Sequence, residues 1–406
     1  MKSDRTRVLV THPWMGRGGS EATAMWTLQA LQDDFDLTFV TASGLDWEEL
    51  NGAYGSSVDP VLRAPHLPTV NSATRLVQLQ QRYFERYCHG LADDFDLCIS
   101  AYNPVDFGKP GIQLIGDFSF SEEMRKRLYI HGDDSFHHRE TFVRKCYLKA
   151  AEIVAIPYRP LSGRRDLVLA NSQWAVEQLE EFFDLKEAPI IYPPVILPEA
   201  LPGTVRDPLG FACLGRVSPE KELDRIIEIL AEVRNRGPQV TLQFIGHLGD
   251  DAYSRKISGM IDQHREWITA VGFLDLPEKQ ALLSRQSFAI HACRIEAFGI
   301  AVAEMASLGC VPFIPDTGGA GEIVPFEELQ FGESDEAVEK ILHLLANPER
   351  VQDLRFQLAA EVAKFGPQMF MGELKKHVAD FLSPSIAVEK SDTNDARTSK
   401  SPAPTC

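Results

Sequence analysis

The chain has 406 residues, of which 44% are hydrophobic, and a formal net charge of −17. This charge argues against nucleic acid or an anionic membrane as a partner of the whole surface. The seven cysteines are scattered without a CxxC pair, which argues against a disulfide framework or a zinc site and fits a reducing compartment. The apolar run at 8–10 is too short for a secretion signal, and no segment reaches the roughly 18 apolar residues of a membrane span. We therefore expect a cytoplasmic protein.

Strand-like and helix-like segments alternate along the chain. The first half predicts a helix at 20–32 and buried strands at 8–13, 37–42, 96–100, 112–115, 166–170 and 189–194. Proline-rich residues 194–209 then predict an irregular linker. After it, strands are predicted at 211–215, 240–246, 267–273, 288–292 and 310–315, followed by helices within 348–382. Strands separated by helices indicate two α/β domains, each a doubly wound parallel sheet, which would face a central ligand cleft.

These breaks give a predicted division of the chain. The first domain is expected to be Rossmann-like, and the last helix to pack back onto it. A tail rich in Ser, Pro, Thr and charge is expected to stay disordered. The predicted units are a first domain at 1–197, a linker at 198–209, a second domain at 210–365, a helix at 366–383 and the tail at 384–406.

Two glutamates lie eight positions apart in the otherwise apolar segment 294–313. A helix predicted at about 298–308 places Glu296 before its N-terminus and Glu304 inside it. The free N–H groups of a helix N-terminus suit a phosphate, and Gly299 would let that backbone approach closely. A carboxylate inside an apolar helix needs donors, for which ribose hydroxyls are suitable. The alternative is that the Glu296 carboxylate interacts favourably with the positive end of the helix dipole, and that Glu304 pairs with a structural donor.

Two cations lie near the start of another predicted helix. In the segment LGRVSPEKELDRIIEIL, Ser218 is the expected N-cap and Pro219 the first helical residue. Lys221 would then lie in the first helical turn, where the macrodipole disfavours a cation, and Arg216 in the loop before it. Such a pair at the carboxyl end of a strand suggests an anion between them, most simply a diphosphate. The alternative is two ordinary surface cations.

A glycine pair opens the first predicted helix. Gly18 and Gly19 in the segment GRGGSE follow the first strand, but they do not fit the GxGxxG pattern. This weakens the interpretation as a nicotinamide dinucleotide site.

Together these segments resemble retaining glycosyltransferases of family 4, which have the GT-B fold. HACRIEAFGIAVAEMASLGCVPFIPDTGGAGEIV (291–324) resembles their donor-binding motif, and GRVSPEK (215–221) resembles their diphosphate motif. GRGGSE (16–21) is similar to their N-terminal glycine loop. Residues 169–195 are similar to the end of their first domain, nearest to the mannosyltransferase branch. The resemblance covers residues 7 to about 382.

The resemblance implies specific roles. Arg216 and Lys221 would neutralise the leaving diphosphate in place of a metal. Glu304 would hold the ribose, and Glu296 would contact the donor sugar at the reacting centre. The other donor-binding positions that it implies are Gly18, Gly19, Gly272, Phe273, Phe298, Gly299 and Ile300.

One feature departs from the family pattern. Many members have a histidine after a middle strand of the first domain, where this chain has Gly116 and Asp117. His131, His137 and His138 follow but do not align to that place. Asp117 is therefore the candidate catalytic residue there, with a helix or turn cap as its alternative role.

The implied activity is retaining transfer of a hexose from GDP-mannose or a UDP-hexose, without metal or cofactor. The acceptor would be a hydroxyl of a glycan, a glycolipid or a small molecule. A GT-B sugar-nucleotide epimerase and a non-catalytic sugar-nucleotide-binding protein are the alternatives. Residues 137–165 carry seven Lys or Arg against two Glu. They predict either a solvated face or a peripheral contact with the inner membrane face.

Overall fold

The computed structural model describes residues 5–42, 44–58, 77–121, 123–124, 142–157, 159–198 and 204–383. Within them the chain forms two parallel β-sheets, each covered by helices. None of the helices in these ranges is long and apolar enough to cross a membrane.

The first sheet has five parallel strands in the order β2-β1-β3-β4-β5. Its central strands are apolar on both faces, as parallel sheets between helices require. The strands are β1 Arg7–Thr11, β2 Asp36–Val40, β3 Leu97–Ser100, β4 Ile112–Leu114 and β5 Leu167–Leu169. The helices are α1 Gly19–Leu31, α2 Trp47–Tyr54, α3 Val77–Leu91, α4 Phe142–Val154 and α5 Gln173–Phe183.

The second sheet has six parallel strands in the order β11-β10-β9-β6-β7-β8. The strands are β6 Asp207–Leu214, β7 Thr241–Ile245, β8 Ile268–Gly272, β9 Gln286–Ile290, β10 Val311–Pro315 and β11 Gln330–Phe331. The helices are α6 Leu223–Asn235, α7 Ala252–Gln263, α8 Leu276–Leu283, α9 Ile300–Ser307, α10 Ser334–Leu345 and α11 Pro348–Val362. The prediction of two doubly wound α/β domains is thus confirmed.

Two predicted segments differ from the structure. Residues 189–194 form no strand: Ile190 makes only an isolated bridge to Ala170, since the prolines of this segment lack the N–H that a ladder needs. Strand β6 begins at Asp207, within the predicted linker, because Asp207 pairs with Gln286 of β9. The predicted tail at 384–406 lies outside the described residues.

The last helix, α12 Pro367–Leu382, follows the second sheet in sequence but packs on the first. Phe370, Leu374 and Val378 are buried in the same apolar cluster as α1 and the first-sheet strands. Lys375 Nζ donates a hydrogen bond to Asp34 of the first domain at 2.8 Å. The chain therefore crosses between the domains twice.

Candidate functional site

A cavity of about 1220 Å³ lies between the two domains. His12, Gly19 and Asp117 line it from the first domain, and Lys221 and Glu296 from the second. These residues follow strands of the two sheets, and ligands of doubly wound folds bind at the carboxyl ends of strands. The candidate residues of both sequence halves therefore meet in one cleft.

A mostly buried ion pair lies in the second-domain wall of the cavity. Lys221 Nζ lies 2.5 Å from Glu296 Oε2, and their side chains are 23% and 19% exposed. Nε2 of the buried His291 lies 3.3 Å from the same oxygen, although outside hydrogen-bond geometry. Burial favours neutral Glu296, but the charge of Lys221 and the nearby imidazole outweigh it and hold the pKa of this carboxyl well below its usual range. The pair therefore presents one cation and one carboxylate to the cavity.

Lys221 reaches this position by a route that differs from the predicted one. Pro219–Lys221 form a separate 3₁₀ turn, and α6 begins only at Leu223. Between them Glu222 has a left-handed backbone with φ of 46°, which interrupts the helix. Ser218 is the N-cap residue of this 3₁₀ turn and Pro219 its first residue, but Ser218 makes no side-chain capping hydrogen bond; its hydroxyl donates to Glu220 Oε1 at 2.6 Å. The prediction that Lys221 lies in the first turn of the α-helix is therefore wrong; the turn before the helix carries it.

The loop that carries Glu296 is held by a glycine loop after β10. The N–H of Gly319 donates to the Glu296 carbonyl at 2.7 Å. A Cβ on Gly319 would lie 2.0 Å from the carbonyl oxygen of Ala297, so only glycine allows this approach. The segment TGGAGE thus fixes the carboxylate loop from behind.

Helix α9 presents an uncapped N-terminus to the cleft. Its N-cap is Gly299, with φ of 102°, and no side chain caps the helix. Ile300 lies directly opposite the start of α1, since a Cβ on Gly19 would be 2.7 Å from Ile300 Cδ1. The N-termini of the two helices thus meet at the cleft, one from each domain. The N–H of Gly18 is already used, because it donates to Tyr54 Oη at 2.9 Å.

Glu304, in the interior of α9, has a partner. Lys279 Nζ of α8 lies 3.0 Å from Glu304 Oε1 and 3.1 Å from Oε2. Both side chains line the cavity. The structural donor that the sequence left open as an alternative is therefore present, and it lies inside the candidate site.

Arg216 extends into the cleft mouth from the loop after β6. Its side chain is 80% exposed, and its guanidinium lies 3.8 Å from Glu220. It lies near enough to the first domain for its charge to act on the hydroxyl of Tyr102. An exposed guanidinium between the domains is placed to meet an anionic ligand.

An exposed aromatic pair lies at the other end of the cleft. Phe273 is 56% exposed and follows Gly272, which has φ of 74°. Its ring stacks on His247, with centroids 6.0 Å apart and planes inclined by 15°. Exposed stacked rings in a cavity offer a flat apolar surface.

Asp117 is held by a hydrogen-bond network. Its carboxylate accepts from Tyr102 Oη at 2.9 Å, from Asn103 Nδ2 at 2.8 Å, and from both the backbone N–H and hydroxyl of Ser119 at 2.9 and 2.7 Å. Burial and the adjacent carboxylate raise the pKa of the Tyr102 hydroxyl, which therefore stays protonated. This geometry favours the turn-capping role of Asp117, at the cavity wall.

Sequence reasoning did not identify His12, His291 or Lys279. His12 is buried at the cleft wall against Tyr102, with ring centroids 5.3 Å apart, and burial lowers its pKa to about 4. Within the described part of the chain, neither of its ring nitrogens has a hydrogen-bond partner. Its place directly after β1 is a signal that could have been used, because polar residues at strand ends line ligand clefts.

His291, Cys293 and Glu296 form a group with the residue types of a metal site. Their ligand atoms lie within 4.8 Å of one another. The ammonium of Lys221 already pairs with Glu296, and burial raises the pKa of the Cys293 thiol to about 12, so that it keeps its proton. These three side chains therefore suit the ammonium group of Lys221 as a partner better than they suit a metal ion.

The basic segment is only partly a surface feature. Residues 137–141 and Tyr158 lie outside the described residues. Arg159 and Arg164 face the buried Asp106, whereas Lys145 and Lys149 are exposed on α4. Phe142 and Ile153 on the same helix are each 82% exposed.

Comparison with known proteins places this geometry in context. Residues 203–358 match the family model of the glycosyl transferases group 1. A mannosyltransferase of Dictyostelium discoideum, GDP-Man:Man(3)GlcNAc(2)-PP-Dol alpha-1,2-mannosyltransferase, is 22% identical over 259 residues, which cover 56% of this chain and 50% of that protein. The chain thus spans about half the length of this curated relative.

Solved structures show the fold. HepE of Anabaena, crystallised with UDP and glucose, has a TM-score of 0.66 at 17% identity and covers 92% of this chain and 100% of its own. Sucrose-phosphate synthase of Thermosynechococcus elongatus has a TM-score of 0.69 at 15% identity, with 94% and 100% covered. The chain has the GT-B fold, and its second domain carries the match to the model of the glycosyl transferases group 1.

Proposed function

We propose that the protein is a retaining hexosyltransferase of the family 4 type, which moves a hexose from a nucleoside-diphosphate sugar to an acceptor hydroxyl. The observation that carries this proposal is the Lys221–Glu296 ion pair, which lines the same cavity as the N-termini of α1 and α9. A cation beside uncapped N–H groups suits a diphosphate, and an adjacent carboxylate suits sugar hydroxyls.

The diphosphate is placed between the domains in this proposal. Lys221 and Arg216 contact it from the second domain, together with the N–H groups at the start of α9. From the first domain the N–H of Gly19 is the matching donor, since Tyr54 already accepts from Gly18. Glu304 accepts from the ribose, and the base lies near Gly272 and Phe273.

Transfer requires one bond to break and one to form on the same face of the sugar. The bond between the anomeric carbon and the phosphate oxygen breaks, the acceptor oxygen bonds to that carbon, and the acceptor proton passes to the leaving phosphate oxygen. Negative charge grows on the phosphate, where Lys221, Arg216 and the α9 N-terminus stabilise it without a metal. Asp117 acts as a positioning residue, because its carboxylate fixes the Tyr102 hydroxyl at the cavity wall.

The donor is GDP-mannose or a UDP-hexose, and the acceptor a glycan, glycolipid or small-molecule hydroxyl. The mannosyltransferase relative supports the first donor class. The UDP complexes of structural neighbours support the second. We place the protein in the cytoplasm, with the exposed apolar and basic side chains of α4 available for a peripheral membrane contact.

The test is calorimetric titration with GDP, UDP and ADP, followed by acceptor screening with the sugar donors of the preferred nucleotide. We expect selective binding of one nucleotide, and NMR of the product should show the anomeric configuration of the donor. A product of opposite configuration would contradict retention. Conversion of the donor to an isomer without acceptor would indicate an epimerase, and binding without transfer or hydrolysis a non-catalytic protein.

A further inference from the structure

A second ion pair lies inside the cleft, apart from the one at the reacting centre. Both carboxylate oxygens of Glu304 lie within 3.1 Å of the single ammonium of Lys279. The side chains are 19% and 15% exposed, for Lys279 and Glu304 respectively. Exposed ion pairs contribute little to stability, but this one is mostly buried and borders a ligand cavity. Its position therefore suggests that the pair acts on a ligand in that cavity.

Lys279 is carried by a well-anchored element. Helix α8 begins with a capping box, in which the Asp275 carboxylate accepts from the Glu278 N–H at 2.8 Å and Glu278 reaches back to Asp275. At its start, Leu276 lies near Gly55 of the first domain, where an added Cβ would be 3.9 Å from Leu276 Cδ2. The lysine is thus presented from a short helix that borders both domains.

Glu304 retains acceptor capacity beyond this pair. A carboxylate has about four acceptor positions, and one ammonium contacting both oxygens leaves some of them open. Among the described residues, hydrogen bonds to this side chain come only from Lys279. The open positions suit two neighbouring hydroxyls, such as those of a ribose.

The negative charge of Glu304 also needs a cation nearby. In the proposed function the ribose is attached to a diphosphate, so Glu304 must hold a ligand of its own charge. A carboxylate without a counter-charge would repel that ligand.

We propose that Lys279 is a positioning residue of the donor site. It fixes the Glu304 carboxylate so that both oxygens accept ribose hydroxyls, and it balances the carboxylate charge beside the diphosphate. This inference rests on the proposed function and concerns a residue that the family resemblance did not identify.

The experiment compares a nucleoside diphosphate with its 2′-deoxy counterpart, using the base that the wild-type protein prefers. Calorimetry should show that the wild type binds the ribose form about tenfold more tightly, since one charge-assisted hydrogen bond is lost in the deoxy form. In Lys279→Met the ratio of the affinities for the ribose and deoxyribose forms should fall to about twofold or less. Glu304→Gln should lower this ratio to the same extent. Lys279→Arg should keep most of the ratio.

The control is Lys256→Met, which removes an exposed lysine of the same domain whose partner is Asp224 at 2.6 Å. It should leave both affinities and their ratio unchanged. Thermal unfolding checks that each variant is folded, and Lys279→Gln replaces Lys279→Met if the latter is not.

Each outcome decides a different point. An unchanged ribose-to-deoxyribose ratio in the folded Lys279 variants would overturn the inference and leave the proposed function intact. An equal loss of affinity for both nucleotides would also overturn it, because Lys279 would then act on the phosphates. If the wild type bound no nucleoside diphosphate, the proposed function itself would fail.

Discussion

Lys221 is the residue on which the proposed chemistry depends most. Its replacement by alanine removes the cation next to the leaving phosphate, and loss of one such preorganised group costs roughly 100- to 1000-fold in kcat. We expect Lys221→Ala to bind nucleotide weakly and to lose most transfer, measured as product formation at saturating donor.

Lys256→Ala is the matched control, since Lys256 pairs with Asp224 outside the cleft. It should retain the wild-type rate. Near wild-type turnover in a folded Lys221→Ala protein would remove Lys221 from the mechanism.

The depressed pKa of Glu296 predicts a pH-dependent stability. Because its folded-state pKa lies below its ordinary value of 4.5, the ion pair stabilises the fold above that pH and is lost as the pH falls towards the folded pKa. Wild-type protein should therefore have a higher Tm than Glu296→Gln at pH 6, and the difference should narrow by pH 3. Calorimetric scans across this range measure it, and a constant difference would contradict the assignment.

At the scale of single residues, those that belong to local motifs could be predicted from the sequence. Lys221 and Glu296 could be predicted because each lies beside a strand-to-helix turn with a recognisable pattern. Lys279 could not, since it is 25 positions before Glu304 and on a different helix, and no local pattern links the two. His12 lies at a favourable strand end, but its burial against Tyr102 emerges only from the packing.

At the scale of elements, the glycine loop behind Glu296 gives a sharp prediction. Gly319→Ala would force a Cβ to 2.0 Å from the Ala297 carbonyl, so the carboxylate loop must move. We expect a destabilisation of about 2 kcal/mol or more, in the range of overpacked cores, together with loss of transfer. Chemical denaturation and activity assays measure the two effects.

Gly372→Ala is the comparison for this variant. Gly372 lies in α12 with no atom within 4 Å of an added Cβ, so alanine should stabilise the helix by about 0.5–1 kcal/mol with unchanged activity. Similar effects of the two substitutions would show that the Gly319 contact does not constrain the loop.

The start of α6 could not be predicted from the sequence. The apolar spacing of α6 was visible in the sequence, but the left-handed Glu222 that separates it from the preceding turn was not. The pairing of Glu222 with Arg294 at 3.3 Å and with Arg225 at 3.4 Å involves residues from another loop and from the helix itself. The left-handed Glu222 therefore limits the predicted start at Ser218 and Pro219 to the 3₁₀ turn, and α6 begins after it.

At the scale of the whole molecule, Glu322 joins the two domains. Its carboxylate accepts from the N–H of Gln173 at the start of α5 at 2.7 Å and from Tyr192 Oη at 2.8 Å. Glu322→Ala should loosen this contact, enlarge the radius of gyration of the ligand-free protein in X-ray scattering, and raise the KM for the donor more than it lowers kcat.

Glu328→Ala provides the control, because Glu328 pairs with Arg350 within the second domain. It should change neither the scattering curve nor the KM. Identical scattering of Glu322→Ala and wild type would show that other contacts hold the cleft closed.

The two-domain architecture followed from the alternation of strands and helices alone. The end of the linker could not be predicted from the sequence, because Asp207 joins β6 by pairing with Gln286, about 80 positions away. The short β11 was also missed, since two residues carry no periodicity.

The return of α12 to the first domain has a consequence for how the protein is made. During synthesis the first sheet leaves the ribosome early, yet Phe370, Leu374 and Val378 of its apolar cluster are added only after the second domain. The first domain cannot complete its interior until α12 has also emerged. The second domain can complete its interior earlier, because its apolar cluster ends at Phe365. We therefore expect the later domain to reach its native packing first, the reverse of the usual order in which domains fold as they are translated.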